Sequence, residues 1–294
     1  MRSVPPACLS TFVVVCGSLL MAGCGGATMS NSSASPATAP APPGGSQGSA
    51  APTPAANSNP TPPPGNSSGS GPSSPPSPNP APAQPAGTTI SNIEQMSGWE
   101  SCDLCSGGGK VSYSMGQSLN YPQPGSTQFS LGQVTPWAHA LWWKRLGNDP
   151  NASHFVLVLD QYIEHPEASF GIEYDVNQIV GSSWYDFAIQ CSFGYGTWQV
   201  WDDANQQWVP TSVPCLRPTP SSHVQLRLEF ERSNGQPHFV SVATNGNIVP
   251  VNMAFNPQPI QGASGDFGVH IQLNGNGAPD PYSVWVHNLS LSYW

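Results

Sequence analysis

An all-β domain, carried behind an export signal and a proline-rich tether, is the fold class that this 294-residue sequence predicts. Three observations in residues 88–294 predict it. Helical periodicity is absent, short β-branched and aromatic runs alternate with Gly, Pro and Asn, and several runs repeat with period two. The clearest is His223–Arg232, where Val224, Leu226, Leu228 and Phe230 point one way and Gln225, Arg227, Glu229 and Glu231 the other. That is the pattern of a half-buried antiparallel strand. In Tyr282–Trp294 the alternation runs through Val284 and Val286, then slips to Leu289, Leu291 and Tyr293, which predicts a bulge near His287-Asn288. Further strands are expected at 110–115, 127–131, 138–145, 154–164, 168–176, 184–191, 197–202, 237–243 and 266–273. About a dozen strands at this spacing make an antiparallel sandwich or a barrel rather than a βαβ fold.

The N-terminal part has a different character. Arg2 precedes an apolar run from about Leu9 to Met21, too short to cross a bilayer as a mature helix, so residues 1–23 read as a signal peptide. The run ends in Leu19-Leu20-Met21-Ala22-Gly23-Cys24, which resembles the lipobox of bacterial lipoproteins, with Met21 where Leu is usual. The resemblance implies acylation of Cys24, a membrane partner held through the lipid, and an exported, lipid-anchored location. Gly25 is not the Asp associated with inner-membrane retention, so the outer membrane or cell surface is favoured. Residues 24–87 then form a tether: positions 25–87 hold 17 prolines in 63 residues and no charged or aromatic side chain. Nothing there offsets the entropy of ordering, so disorder is expected, with extended polyproline-like stretches.

The whole chain carries 16 acidic against 7 basic residues, a net charge of −9, and only 8% charged residues. This balance argues against nucleic acid and against binding to anionic lipid. A surface built from Asn, Gln, Ser and Thr suits neutral polar partners such as glycans. Cys102, Cys105, Cys191 and Cys215 remain in the C-terminal block, an even number in an exported domain, and three pairings are open. The strand positions favour Cys191–Cys215, leaving Cys102–Cys105.

Phe170-Gly-Ile-Glu-Tyr-Asp175, Trp184-Tyr-Asp-Phe-Ala-Ile-Gln-Cys191, Trp198-Gln-Val-Trp201, Trp208 and the closing Val284–Trp294 together resemble a concanavalin A-like lectin/glucanase jelly roll of the laminin-G-like kind. The resemblance implies a two-sheet antiparallel sandwich over 88–294, with a concave face as the usual ligand site. It also focuses the catalytic question. Retaining glucanases of this class carry Glu-x-Asp-x-x-Glu on one strand. Here Glu173 and Asp175 match the first two acids, but Gln178 stands at the third, and an amide cannot protonate a leaving group. Asp186 on a neighbouring run is a second source of a carboxyl. Hydrolysis is therefore the lesser expectation, and Glu173 and Asp175 are weak catalytic candidates.

Aromatic content gives the other lead. Trp137, Trp142, Trp143, Trp184, Trp198, Trp201, Trp208 and Trp285 are many for one domain, and indole faces stack on sugar rings. Adjacent Trp142 and Trp143 must face opposite ways. About three of the eight are expected to be exposed, and Trp184, Tyr185 and Trp201 are the carbohydrate-binding candidates. Asp202, Asp203 and Asn205, and more weakly the turn Asn274–Asp280, offer oxygen ligands for calcium, although turn chemistry explains the same residues; no other cofactor is implied. Three readings follow: a lipid-anchored carbohydrate- or surface-binding sandwich, a degenerate glycosidase on the same fold, and a structural envelope protein whose aromatics only fill the core.

Overall fold

The structure is a computed structural model, and it describes residues 87–103, 111–132, 135–261 and 265–294. The signal peptide, Cys24, the tether and Cys105 lie outside the described residues. In chain order the strands are β1 (Thr88–Ile90), β2 (Glu100–Cys102), β3 (Ser112–Leu119), β4 (Ser126–Gly132), β5 (His139–Asn148), β6 (His154–Glu164), β7 (Ser169–Val180) and β8 (Ser183–Ser192). They continue as β9 (Thr197–Asp202), β10 (Gln207–Pro214), β11 (His223–Ser233), β12 (Gln236–Thr244), β13 (Asn247–Ala254), β14 (Gln258–Pro259), β15 (Asp266–Gly275) and β16 (Tyr282–Tyr293).

They form two eight-stranded antiparallel sheets, the jelly-roll sandwich that the sequence resemblance implies. The first runs β13-β12-β11-β6-β16-β4-β3, with β1 on β16. The second runs β10-β9-β8-β7-β15-β5-β2, with β14 on β8. Alternation decides what lies between them. From the first sheet Phe155, Leu157, Leu159, Leu226, Leu228 and Phe230 enter the core; from the second come Ile172, Tyr174, Val176, Phe187, Ile189 and Trp198. Phe187 joins the layers, its ring 5.6 Å from both Phe155 and Phe230. Each such fully buried side chain contributes about 1.5–3 kcal/mol over its exposed state. Buried Tyr174 donates its hydroxyl to the Gln161 side chain across the core.

The phase slip in the last strand is a bulge: the β16–β6 register shifts between His287 and Ser290, and Asn288 has φ 55°. The turned Asn288 amide donates to Asp160 Oδ2 at 2.8 Å, and the buried Glu94 carboxylate accepts the Leu289 N–H at 3.0 Å. Cys191 and Cys215 form a disulfide with Cα atoms 5.5 Å apart, tying β8 to the chain just after β10. Cys102 is also disulfide-bonded.

Five strands escaped the sequence pattern: the short β1, β2 and β14, and the longer β10 and β13. β10 carries Pro210 and Pro214 and β13 carries Pro250, and these are the terminal strands of the two sheets. Proline lacks the N–H that an inner strand would need, so it survives at an edge. Pro214 closes β10, and Pro237 is the second residue of β12.

Candidate functional site

Because Ile172, Tyr174 and Val176 of β7 enter the core, Gly171, Glu173, Asp175 and Asn177 must project from the opposite face of the second sheet. Pairing surrounds them with polar residues in register. Gly171 lies between Ser192 and Asn274, Glu173 between Gln190 and Gln272, Asp175 between Ala188 and His270, and Asn177 between Asp186 and Gly268. Gly171 is needed here: a Cβ would stand 2.8 Å from the Cys191 carbonyl and 3.2 Å from Gln190 Cγ.

The amides of this face are chained together. Gln272 Nε2 donates to Glu173 Oε2 at 2.8 Å and to Asn274 Oδ1 at 3.0 Å. Asn274 Nδ2 donates to Gln190 Oε1 at 2.8 Å, and Gln190 Nε2 to Gln199 Oε1 at 3.1 Å. The chain crosses β15, β7, β8 and β9, so it fixes side-chain positions over four strands. His270 sits 3.4 Å from Asp175 Oδ2 and contacts the Asn177 amide; burial pushes its imidazole down to about 4, so it is neutral at physiological pH.

Four carboxyls share the face. Burial pushes Glu173, Asp175 and Asp186 well above the usual carboxylate range, and for Glu173 the adjoining Asp175 charge adds to it. Asp186 is raised further by Asp203, Asp175 and Glu173. Asp203 is pushed up to about 7 by burial and by the Asp202 charge, against a hydrogen bond from the Trp201 indole N–H at 3.0 Å. Among the described residues, no lysine or arginine pairs with any of the four. Several buried polar atoms here have no hydrogen-bond partner: Asp175 Oδ1, Asp186 Oδ1, Asp203 Oδ2 and Trp143 Nε1.

The candidates from sequence separate on this geometry. Glu173 and Asp175 do share one face, and Asp186 and Asp203 join them. Gln178 does not stand beside them, as the motif comparison assumed. No bulge interrupts β7 there, so Gln178 points into the core and donates to the Asp149 and Ala152 carbonyls at 2.9 and 2.8 Å. The next position on the acidic face is Asn177, again an amide. Trp184 and Trp201 lie on the outer face, half-buried, and Trp201 meets Trp208 with ring centroids 5.3 Å apart. Tyr185 is a correction: alternation turns it into the core, 7% exposed, with the Arg232 guanidinium 5.4 Å above its ring.

The number of exposed indoles is also corrected. Of the eight tryptophans, Trp137 alone is exposed, at 59%. Trp142 is in the core, and Trp143 faces the other way but is also buried, cross-strand from His270. Trp137 and the exposed Tyr195 flank Phe170 edge-on, with centroids 5.5 and 5.6 Å away, forming an aromatic platform at the end of the sheet that the sequence reading missed. The signal in sequence was Tyr195 held between Gly194 and Gly196.

The calcium candidates do not converge either. Asp202 Oδ1 caps its own turn by accepting the Ala204 and Asn205 N–H groups, and Oδ2 accepts the Asn205 amide at 2.7 Å. Asp203 points instead toward Trp201. Among the described residues, no three His, Cys, Asp or Glu side chains are gathered as metal ligands.

No family model matches the chain, and no curated protein matches it. Solved structures do. The chain is similar to the cellulose induced protein Cip1 at 9% identity and TM-score 0.44, covering 69% of this chain and 96% of that one. It is similar to peanut lectin with a nine-residue peptide at 8% identity and TM-score 0.45, covering 71% and 98%. It is also similar to the potassium-bound carbohydrate recognition domain of Emp46p at 12% identity and TM-score 0.38, covering 68% and 94%.

Proposed function

We propose that the outer face of the second sheet binds a carbohydrate, and that the protein holds this domain at the cell envelope through acylated Cys24 and the proline-rich tether. One observation carries the binding reading: a prearranged field of amides and carboxyls, Gln272 to Gln199, lies between indoles, with buried polar atoms that lack partners. Sugar hydroxyls both donate and accept, so they match such a field, while Trp201 and Trp184 offer flat apolar surface at its side. Orphaned buried polar atoms cost about 1–3 kcal/mol each, and a ligand that satisfies them recovers that cost.

Polysaccharide pull-down and glycan-array binding test this reading. Trp201→Ala and Trp184→Ala should weaken binding at least tenfold while the far-ultraviolet spectrum stays unchanged. Equal retention by both folded variants would remove the face from consideration. The anchor has its own test, metabolic labelling with a lipid precursor. Label should enter the native chain and not Cys24→Ala, and unchanged membrane fractionation of that variant would refute it.

A second reading, glycoside hydrolysis, is favoured by the position of Asp186. Its carboxyl stands across from Asn177 and interacts with Glu173 and Asp175, so a second acid is supplied by β8 rather than by the motif strand. A carboxyl held protonated can act as the general acid while an ionised partner acts as nucleophile or base. Reducing-sugar release that is lost on Glu173→Gln would establish this reading. Binding without any release would leave the lectin-like reading.

A further inference from the structure

Away from the outer face, a cavity of about 410 Å³ lies between β8 and β9 of the second sheet and β6 and β11 of the first. The connector from β10 to β11 makes it. At one end Cys215 is joined to β8 by the disulfide to Cys191, and its N–H donates to the Gly196 carbonyl at 2.9 Å. At the other, Ser221, with φ 55°, donates its N–H to the Ile163 carbonyl at 2.7 Å. Pro218 and Pro220, between these ties, have a fixed φ and no N–H, so the connector crosses from one sheet to the other as a stiff strap. Beneath it, buried Trp198, Leu226 and the disulfide line the space, with half-buried Phe193 and Val224 beside them. Leu216, 81% exposed, extends this apolar surface to the rim. The volume lies within the range of about 300–1,000 Å³ that small-molecule sites occupy.

Two donors interrupt the apolar lining. Gln161 is only 4% exposed, and its Oε1 accepts the Tyr174 hydroxyl, while its Nε2 has no partner among the described residues. Arg217 is the other. Its guanidinium stands 5.8 Å from the Phe193 ring centroid and gives one N–H to the Ser169 carbonyl at 3.5 Å, out of five that it can donate. Among the described residues Arg217 makes no ion pair. The exposed Glu167 feels its charge but bonds to His165 at 3.1 Å, and His223 of the lining bonds to Asp160 at 2.8 Å. No aspartate or glutamate lines the cavity, in a chain with 16 acidic and 7 basic residues. An apolar space with a positive mouth selects a ligand of the complementary kind. We infer that the cavity binds a small organic acid with an apolar body, whose carboxylate meets Arg217 while the body packs against Trp198 and Leu226. The bond to Arg217 is charge-assisted, and Gln161 Nε2 offers a further donor to an oxygen carried on the body. This site does not depend on the carbohydrate reading: Trp198 faces the cavity, and its neighbour Gln199 ends the amide chain on the other side of β9.

Isothermal titration of the full-length protein tests this with two acids, octanoate and 2-naphthoate, against octanol, 2-naphthol and octylammonium. At least one acid should bind at least tenfold tighter than its own alcohol, and octylammonium should bind no tighter than octanol. Which acid binds tells an aliphatic ligand from an aromatic one. Arg217→Gln should bring that acid and its alcohol within about twofold of each other. Val224→Trp, which fills the cavity from a half-buried position, should abolish binding of both while the far-ultraviolet spectrum stays unchanged. If that variant does not fold, the exposed Arg217→Gln still decides. Arg227→Gln, on the outer face of the first sheet, should leave the preference intact, which separates the cavity from general attraction of an anion to an arginine. A preference for the acid that survives Arg217→Gln would overturn the assignment. So would equal binding of acid and alcohol, or binding of neither acid.

Discussion

The outer faces of the two sheets carry similar acids in opposite electrical states. On the first sheet, Glu229 meets Arg227 at 2.7 Å and His154 at 2.9 Å, while Glu231 meets His238 and Asp160 meets His223, both at 2.8 Å. Burial alone would raise Asp160 and Glu229. Hydrogen bonds from Asn288 and His223, and from Arg227 and His154, outweigh it and hold both below the usual carboxylate range. On the second sheet burial wins, because among the described residues no lysine or arginine pairs with Glu173, Asp175, Asp186 or Asp203. On the first face each of these acids has its own donor. The second keeps its carboxyls buried at a cost in stability.

The comparison breaks most visibly at Asp203. Its folded value, about 7, lies above its ordinary 3.8, so its contribution is fully present below about pH 4 and is lost as pH rises through about 7. Asp203→Asn should therefore stabilise the domain by on the order of 3 kcal/mol near pH 8 and by nothing below about pH 4. Denaturant melts of both proteins across that range measure it, and a constant difference would count against the unrelieved-charge account.

Gly171→Ala should come next, costing about 1–3 kcal/mol by forcing Cβ against the Cys191 carbonyl, and it should loosen the amide chain at Gln190. Urea titration gives the stability, and the side-chain amide resonances of Gln190 and Gln272 report the loosening.

Glu229→Gln should act with the opposite sign to Asp203→Asn, destabilising by about 1 kcal/mol. Because the folded Glu229 value is depressed, that loss should be present above the ordinary carboxylate range and fade as pH falls through the folded value. A thermal-shift series from neutral to acid pH checks the sign.

Tyr185→Phe should be the smallest effect. The ring stays in the core, stability should move by less than about 0.5 kcal/mol, and glycan retention on a polysaccharide column should not change.

Much of this was legible in the sequence. Alternation in His223–Arg232 gave that strand its faces, and the slip after Val286 located the bulge at Asn288. Period two also placed Glu173 and Asp175 on one side of β7. It misled at Gln178, because the motif spacing presumes a bulge that this β7 lacks, and at Tyr185, where an aromatic beside Trp184 had to take the other face. Asp186 and Asp203 were visible as acids but not as neighbours of Glu173, since only the pairing of β7, β8 and β9 brings them together.

The sequence by itself therefore determined the all-β class, the inward and outward side of each strong strand, and the uncharged, proline-rich character of the segment before the domain. Those properties are written in local chemistry: a period of two along the strands, and a long run without charged or aromatic side chains. The tertiary structure alone decided which acids share a face and which of them find a cation. Strand partners are chosen by the packing of the whole core, and the electrical state of a carboxyl depends on neighbours that lie far away along the chain.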